Sequence, residues 1–362
     1  MDSAFNKRFL ERLLQLSKQV NDKIGRKIMF MEVCGTHTTV ISKSGLRGIL
    51  ANHMELRSGP GCPVCVTDQA DIDTIMALSR LPDTIIATFG DMIRVPGTRS
   101  SLEQERARGA RVETFYSPRE AVTYAAGHPD KEVIFLGVGF ETTIPAITLS
   151  LLEARAAGIK NYSIFSVHKV VPPAMKALLN DPEQKIDGFI LPGHVCTITG
   201  RKAFDFISSD YRLPAVIGGF EEVDVMEAIY LLLRQILDGR VETMNGYRRL
   251  VHEDGNIKAQ EIMGKCFDPV DVSWRGFGSI PGSGLRLKAE YATHDARVRF
   301  PIEVPPSSPP EGCSCGEVLR GKLRPDDCPL FSSVCTPVDP VGPCMVSTEG
   351  ACAAYYQYGI GY

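Results

Sequence analysis

The sequence predicts an α/β protein with two parallel-sheet domains and a smaller, cysteine-rich C-terminal domain. Three observations lead to this fold class. Apolar strand-like runs alternate with helical patterns over the first 246 residues, a proline-rich connector follows at 301–312, and six of the eleven cysteines lie beyond that connector. Such alternation indicates crossover units, which join parallel strands.

The first domain is expected to span residues 1–130. An amphipathic helix opens the chain, and KIMFMEV has the pattern of a buried strand with the helix TTVISKSGLRGIL after it. The alternation of helix and strand then continues through TDQADIDTIMALSR, TIIATFG, SLEQERARGA, RVETFYS and PREAVTYAAG.

The second domain is expected to span residues 131–246 and repeats the alternation. Its segments are EVIFLGVGF, PAITLSLLEARAAG, YSIFSVHK, PPAMKALLN, DGFILPG, PAVIGGF and EEVDVMEAIYLLLRQILDG. Both domains are therefore predicted to be Rossmann-like. The pattern weakens from about Tyr247, so residues 247–362 are assigned to the third, smaller domain.

Composition excludes two classes of partner. The chain has 362 residues, of which 44% are hydrophobic and 23% charged, with a formal net charge of −3. No long basic run is present, so we expect no binding to nucleic acid. No unbroken apolar run reaches membrane-spanning length, so we expect a cytoplasmic protein. Eleven cysteines in a reducing compartment favour metal binding or redox chemistry over structural disulfides.

The cysteines of the tail are the strongest chemical signal. They are Cys313, Cys315, Cys328, Cys335, Cys344 and Cys352. Four thiolates are the usual ligands of an iron-sulfur cubane, and widely spaced loops can surround one. A structural zinc site is the alternative, but the tail has a C-x-C and long gaps instead of the tight knuckles of zinc ribbons. The spacing therefore favours a cluster.

A C-x-x-C element occurs at 59–65, in GPGCPVC. Cys62 and Cys65 can close a disulfide, and a helix is predicted to begin at Thr67 or Asp68, with Asp71 completing a capping box. Cys65 would then lie near a positive helix terminus that stabilises its thiolate. The alternatives are half of a zinc knuckle or two inert buried thiols, but no second C-x-x-C completes a zinc site.

The sequence CGTH places Cys34 at the carboxyl end of the first strand, where open α/β sheets bind ligands. The thiol should therefore face a cleft. His37 could supply a second ligand, accept the thiol proton or orient the sulfur. It could equally be a histidine that only caps a helix or satisfies the core.

Two polar motifs follow strands of the second domain. GVGFETT brings Glu141, Thr142 and Thr143 to a helix start, either as the polar floor of a cleft or as simple N-capping groups. It lacks the third glycine of a dinucleotide fingerprint. LPGHVCTITG contributes His194 and Cys196 at another strand end, although Cys196, like Cys266, is expected to be a small buried hydrophobe.

Five motifs in order resemble those of the HypD family of hydrogenase maturation factors over nearly the whole chain. They are CGTH, GPGCPVC, GFETT, PGHV and a tail built on CSCGEVLRG, CPLF, CTP, GPCMVS and EGACAAYY. The cluster pattern of that family, C-x14-C-x6-C-x16-C, falls on Cys313, Cys328, Cys335 and Cys352. Cys315 and Cys344 are left over.

The resemblance implies a [4Fe-4S] cluster in the third domain and a cleft where the domains meet. It also implies assembly, together with a HypC-type small chaperone, of an iron carrying two cyanides and one carbon monoxide. Cys34 would bind that iron beside His37, and Cys62 and Cys65 would act as a redox dithiol. HypE, with HypF, would donate cyanide, and the hydrogenase large subunit would be an indirect partner.

Two functional classes therefore remain open on sequence grounds. One is an assembly scaffold with redox activity, which differs from a conventional turnover enzyme. The other is a stand-alone iron-sulfur thiol-disulfide oxidoreductase. A zinc-stapled interaction protein is a third, weaker hypothesis.

Overall fold

The computed structural model describes residues 3–359 and has the α/β architecture that the sequence predicts. The strands of this part of the chain are β1 (Ile28–Glu32), β2 (Met54–Ser58), β3 (Thr84–Thr88), β4 (Arg111–Thr114), β5 (Glu132–Gly137), β6 (Tyr162–Ser166), β7 (Gly188–Pro192), β8 (Ala215–Gly218), β9 (Thr243–Asn245), β10 (Phe267–Trp274) and β11 (Gly278–Leu287). The helices of its first half are α1 (Ser3–Ile24), α2 (Gly35–Lys43), α3 (Leu46–Leu50), α4 (Pro63–Val66), α5 (Gln69–Ser79), α6 (Leu102–Ala107), α7 (Pro118–Gly127) and α8 (Ile144–Ala156). Those of its second half are α9 (Val171–Leu179), α10 (Gly193–Thr199), α11 (Phe206–Ser209), α12 (Glu222–Asp238), α13 (Ile257–Cys266), α14 (Ala296–Arg299), α15 (Cys315–Leu319) and α16 (Ala351–Tyr358).

Two parallel sheets form the body of the protein. The first sheet has the strand order β2-β1-β7-β8-β9, and the second has the order β4-β3-β5-β6. The strands β10 and β11 form an antiparallel hairpin. Strands β3, β6 and β7 are buried along their whole length, as expected for parallel strands with helices on both faces.

The membership of the sheets does not follow the contiguous division at 130/131 that the sequence suggested. The chain makes β1 and β2, leaves to build the second sheet from β3 to β6, and then returns to place β7, β8 and β9 beside β1. The first sheet is thus assembled from two separate stretches of chain. Local patterning reports which segments are strands, but partner choice depends on contacts between distant segments.

Most of the expected elements form, with informative differences. The helix predicted over TTVISKSGLRGIL is divided into α2 and α3, because Gly45 between them has a left-handed backbone with φ of 72°. Pro145 occupies an early position of α8, as expected. The hairpin of β10 and β11 was not foreseen.

The C-terminal part contacts both sheets. Residues 301–310 have no regular structure, as the prolines of the connector predict. Farther on, α16 packs against α2 of the first sheet, and the guanidinium of Arg47 stacks on the ring of Tyr355 at 4.6 Å. Within residues 3–359, no helix is both long enough and apolar enough to cross a membrane.

Candidate functional site

The carboxyl edge of the first sheet collects the predicted motifs. Cys34 follows β1, the CPVC segment follows β2, His194 follows β7, and Phe220 follows β8. Because the carboxyl ends of parallel strands lie on one side of a sheet, segments far apart in the chain meet at this edge. GFETT occupies the equivalent place after β5 of the second sheet.

Cys34 and the CPVC segment are in direct backbone contact. The amide of Gly35 donates a hydrogen bond to the carbonyl of Gly61 at 3.1 Å. A Cβ atom built on Gly61 would lie 2.5 Å from both the Cα and the N of Cys34, so only glycine permits this approach. The structure therefore brings together the two motifs that the sequence placed on successive strands.

Cys62 and Cys65 are joined as a disulfide whose Cα atoms are 5.2 Å apart. Both residues are buried, with 3% and 0% of their surface exposed. Cys62 is the N-cap of the short helix α4, and its sulfur accepts the amide of Cys65 at 3.2 Å. Asp68 caps the next helix, α5, by accepting the amide of Ala70, but the capping box expected from Asp71 does not form. Cys65 lies near a helix start as predicted, although the helix is the short α4 and not α5.

The thiol of Cys34 is half-buried and electrostatically held in its protonated form. Burial raises its pKa to about 11, and the carboxylate of Glu349 acts in the same direction, whereas the amides of His37 and Thr36 oppose the rise. The Thr36 hydroxyl donates to Glu349 Oε1 at 3.1 Å. Glu349 comes from the tail, so the tail closes over the CGTH segment. A thiol of this kind binds metal only with loss of its proton.

His37 and His194 stack on the same ring. The centroid of Phe220 lies 4.7 Å from that of His37 and 3.9 Å from that of His194. His37 is fully buried and its Nε2 lies 2.9 Å from the carbonyl of Gly219, which fixes the proton on that nitrogen. No group within residues 3–359 hydrogen-bonds to its Nδ1, and burial lowers the pKa of the ring to about 4. Nδ1 is therefore a neutral acceptor inside the protein.

The GFETT residues separate into buried and exposed groups. Glu141 is 2% exposed and its Oε1 accepts the amide of Val171 at 2.8 Å, while Oε2 has no partner. Burial raises its pKa to about 7. Thr142 is exposed, and Thr143 occupies the N-cap of α8 without a side-chain capping bond. The threonines therefore do not cap α8, whereas Glu141 accepts the first amide of another helix, α9.

Cys196 lies at the carboxyl edge of the first sheet. Its side chain is fully buried, as expected of a small hydrophobe, and burial raises its pKa well above the ordinary value. It lies in α10, the helix that directly follows β7 and also carries His194. Cys266, in contrast, is buried in the apolar core of the second sheet.

The six tail cysteines line one cavity, which we call the cysteine cavity. Its other walls are apolar or glycine: Val318, Leu330, Phe331, Gly342 and Met345. Within residues 3–359, no three His, Cys, Asp or Glu side chains converge as the ligands of a single ion must. A ring of thiols spread around a cavity fits a larger sulfur-loving group such as a cubane.

The cysteine cavity adjoins the disulfide. Cys65 Sγ lies 3.9 Å from the carbonyl oxygen of Pro343, whose neighbour Cys344 lines the cavity. Cys344 Sγ in turn lies 2.7 Å from Cys315 Sγ, so the two cysteines left over by the predicted spacing form a close pair. Cys34, the disulfide and the cavity are therefore consecutive neighbours.

Sequence reasoning missed several residues at this site. Glu349 lies within a quoted tail segment, but no spacing rule connects it with Thr36. Lys169 and Arg275 are cations buried among the motifs, at 1% and 4% exposure, and nothing in their local sequence indicates it. Burial lowers the pKa of Lys169 to about 8.

Comparison with known proteins gives one consistent result. Residues 8–359 match the family HypD, described as "Hydrogenase formation hypA family". The chain is 41% identical to the hydrogenase maturation factor HypD of Rhodobacter capsulatus, over 99% of this chain and 96% of that protein. It is 40% identical to HypD of Escherichia coli, over 96% and 94% respectively. A putative hydrogenase expression/formation protein of Methanocaldococcus jannaschii is 40% identical, over 99% and 98%.

Proposed function

Because this chain belongs to the HypD family of hydrogenase maturation factors, we propose that it is the scaffold on which an Fe(CN)2CO unit is assembled. The scaffold works together with a HypC-type small chaperone, receives cyanide from HypE and HypF, and delivers the unit indirectly to the hydrogenase large subunit. The observation that carries the proposal is the contiguity of Cys34, the Cys62–Cys65 pair and the cysteine cavity.

Cys34 is the ligand for the iron cargo. Its thiol is protonated at neutral pH, so the proton must leave as the Fe–S bond forms. Glu349 is placed to accept that proton, because its Oε1 accepts the hydroxyl of Thr36, two residues from Cys34, and burial raises the pKa of its carboxyl. His37 contributes a neutral imidazole with a free Nδ1 on the same side of the sheet.

Cys313, Cys328, Cys335 and Cys352 hold a [4Fe-4S] cluster in the cysteine cavity. Such a cluster supplies one-electron transfer when bound. Cys335 and Cys352 are buried among the apolar walls, whereas Cys313 and Cys328 are partly exposed. The close pair Cys315 and Cys344 remains available for thiol chemistry beside them. Cys62 and Cys65 form the redox dithiol.

The burial of the Cys62–Cys65 disulfide favours the scaffold over a stand-alone oxidoreductase. Exchange with a substrate requires a thiolate to reach a sulfur atom. With at most 3% of either cysteine exposed, a thiol on another protein has no access to this pair. Electrons therefore have to arrive from inside the protein.

Infrared spectroscopy of the anaerobically purified complex with the chaperone tests the proposal. We expect cyanide and carbonyl stretching bands in the wild type, and their loss in Cys34→Ala. Cys266→Ala is the matched control, because Cys266 is buried but remote from the sulfur site, and it should keep the bands. A wild-type complex with a full iron-sulfur content and no such bands would refute the scaffold.

A further inference from the structure

Arg275 is a buried cation next to the sulfur site. It lies at the end of the β10–β11 hairpin and is 4% exposed. Its Nη1 donates to Gln69 Oε1 at 3.0 Å, whereas Nε and Nη2 are buried without any acceptor. Among residues 3–359, no carboxylate forms an ion pair with it. A buried cation without a counter-charge is costly, so an anion near the guanidinium is needed to stabilise it.

The position of Arg275 identifies that anion. Its amide donates to the carbonyl of Val66 at 2.9 Å, directly after the disulfide. On the other side, a Cβ atom built on Gly276 would lie 2.6 Å from Cα of Gly316, the neighbour of Cys315. The turn of the hairpin therefore lies between the CPVC segment and the cysteine cavity. Glycine in both contacting segments, at Gly276 and Gly316, allows the two backbones to touch.

Arg275 lies beside the wall of the cysteine cavity. Its neighbour Gly276 touches Gly316, and Cys315, the residue before Gly316, lines the cavity. A thiolate-bound cubane carries net negative charge that increases on reduction, and nearby charge is one of the factors that set its potential. Arg275 is thus a buried cation next to the group whose charge would change.

We propose that Arg275 is the counter-cation of the cluster site and raises the reduction potential of the cluster and of the adjoining disulfide. This inference rests on the proposed [4Fe-4S] site. The cation stabilises whichever state has gained an electron, and it does so at the junction of the two sulfur groups. Arg275 is a positioning residue, since it contacts neither the cargo iron nor Cys34.

A redox titration of the reconstituted protein, monitored by electron paramagnetic resonance, tests the inference. Arg275→Gln should make one-electron reduction of the cluster at least about tenfold less favourable, which lowers the midpoint by about 59 mV. Arg275→Lys keeps the charge and should rescue the wild-type midpoint. Arg286→Gln is the matched control, because Arg286 lies on the same hairpin but donates to the carbonyl of Ser166 in the second sheet.

A second variant, Gln69→Glu, tests the inference even if Arg275→Gln does not fold. Gln69→Glu preserves shape and gives Arg275 a carboxylate partner at the same atom, so it should lower the midpoint in the same direction. An unchanged midpoint in Gln69→Glu or in a fully loaded Arg275→Gln would overturn the inference and leave the scaffold intact. If wild-type protein takes up zinc or no metal, metal analysis reveals that the cluster proposal itself has failed, and the inference with it.

Discussion

Replacing Gly61 by alanine should separate the two motifs that define the site. The added Cβ would meet the Cα and the N of Cys34 at 2.5 Å, and ordinary van der Waals contact begins at 3.4 Å. The Cys34 segment must therefore retreat by the difference, 0.9 Å. The obstructing atoms are backbone atoms, so no side-chain rotation can relieve the clash.

The retreat has two energetic consequences. Overpacking of a close-packed interior costs about 1–3 kcal/mol. The hydrogen bond from Gly35 to Gly61, now 3.1 Å, would lengthen toward 4 Å and be lost, at a cost of about 1 kcal/mol. We therefore expect Gly61→Ala to lower the free energy of unfolding by about 2–4 kcal/mol.

Urea unfolding followed by circular dichroism measures this loss, and infrared spectroscopy of the complex with the chaperone measures the cargo. Gly264→Ala is the matched control, because a Cβ atom at this position in α13 meets nothing within 4 Å. It should be neutral or mildly stabilising. If Gly61→Ala unfolds at the wild-type urea concentration and retains full cargo, the close approach of the two motifs is not required.

Two further outcomes are expected. Arg47→Met should lower the free energy of unfolding by about 3–5 kcal/mol, because it leaves the fully buried carboxylate of Glu32 without its ion pair at 2.7 Å. Urea unfolding measures this loss, and a loss below about 1 kcal/mol would contradict the prediction. Burial lowers the pKa of His168 to about 3. Below pH 6.5 this histidine is therefore protonated in the unfolded chain but neutral in the folded protein, so the free energy of unfolding decreases as the pH is lowered. Between pH 8 and pH 5 this amounts to about 2 kcal/mol, and His168→Gln should remove that part of the pH dependence in urea titrations; equal slopes in variant and wild type would disprove it.

The sequence predicts elements well and their association poorly. Segments such as EVIFLGVGF and TDQADIDTIMALSR carry strong local patterns, and they form β5 and α5 within a few residues of the expected bounds. The hairpin of β10 and β11 was missed because its strands contain Pro269, Gly282 and Gly284, which weaken the alternation on which a strand prediction depends. The return of β7 to β1 was missed because no local signal encodes the partner of a strand.

For the candidate site, too, local features could be predicted from the sequence and long-range contacts could not. Rules of strand ends and cysteine spacing identified Cys34, the CPVC pair and the tail, because these rules concern residues close in sequence. Glu349 and Arg275 lie beside cysteine motifs that are far away in the chain, Glu349 through Thr36 and Arg275 through Val66, and the sequence does not state such contacts. The charges that control the thiols are therefore visible only in the folded protein.

The interleaved chain path explains how sulfur groups from three regions are held in contact. Lys169, at the carboxyl end of β6, donates to the carbonyl of Ser273 in the hairpin at 2.8 Å and lies 3.9 Å from Asp71 of α5. One buried cation thus joins the second sheet, the hairpin that carries Arg275, and the helix after the disulfide. The chain crosses into the second sheet immediately after the CPVC segment and α5. The contacts of Lys169 with Ser273 and Asp71 therefore hold the disulfide segment against the hairpin. A protein with two contiguous domains would have to create the same contact across a mobile interface, whereas here it lies within the core.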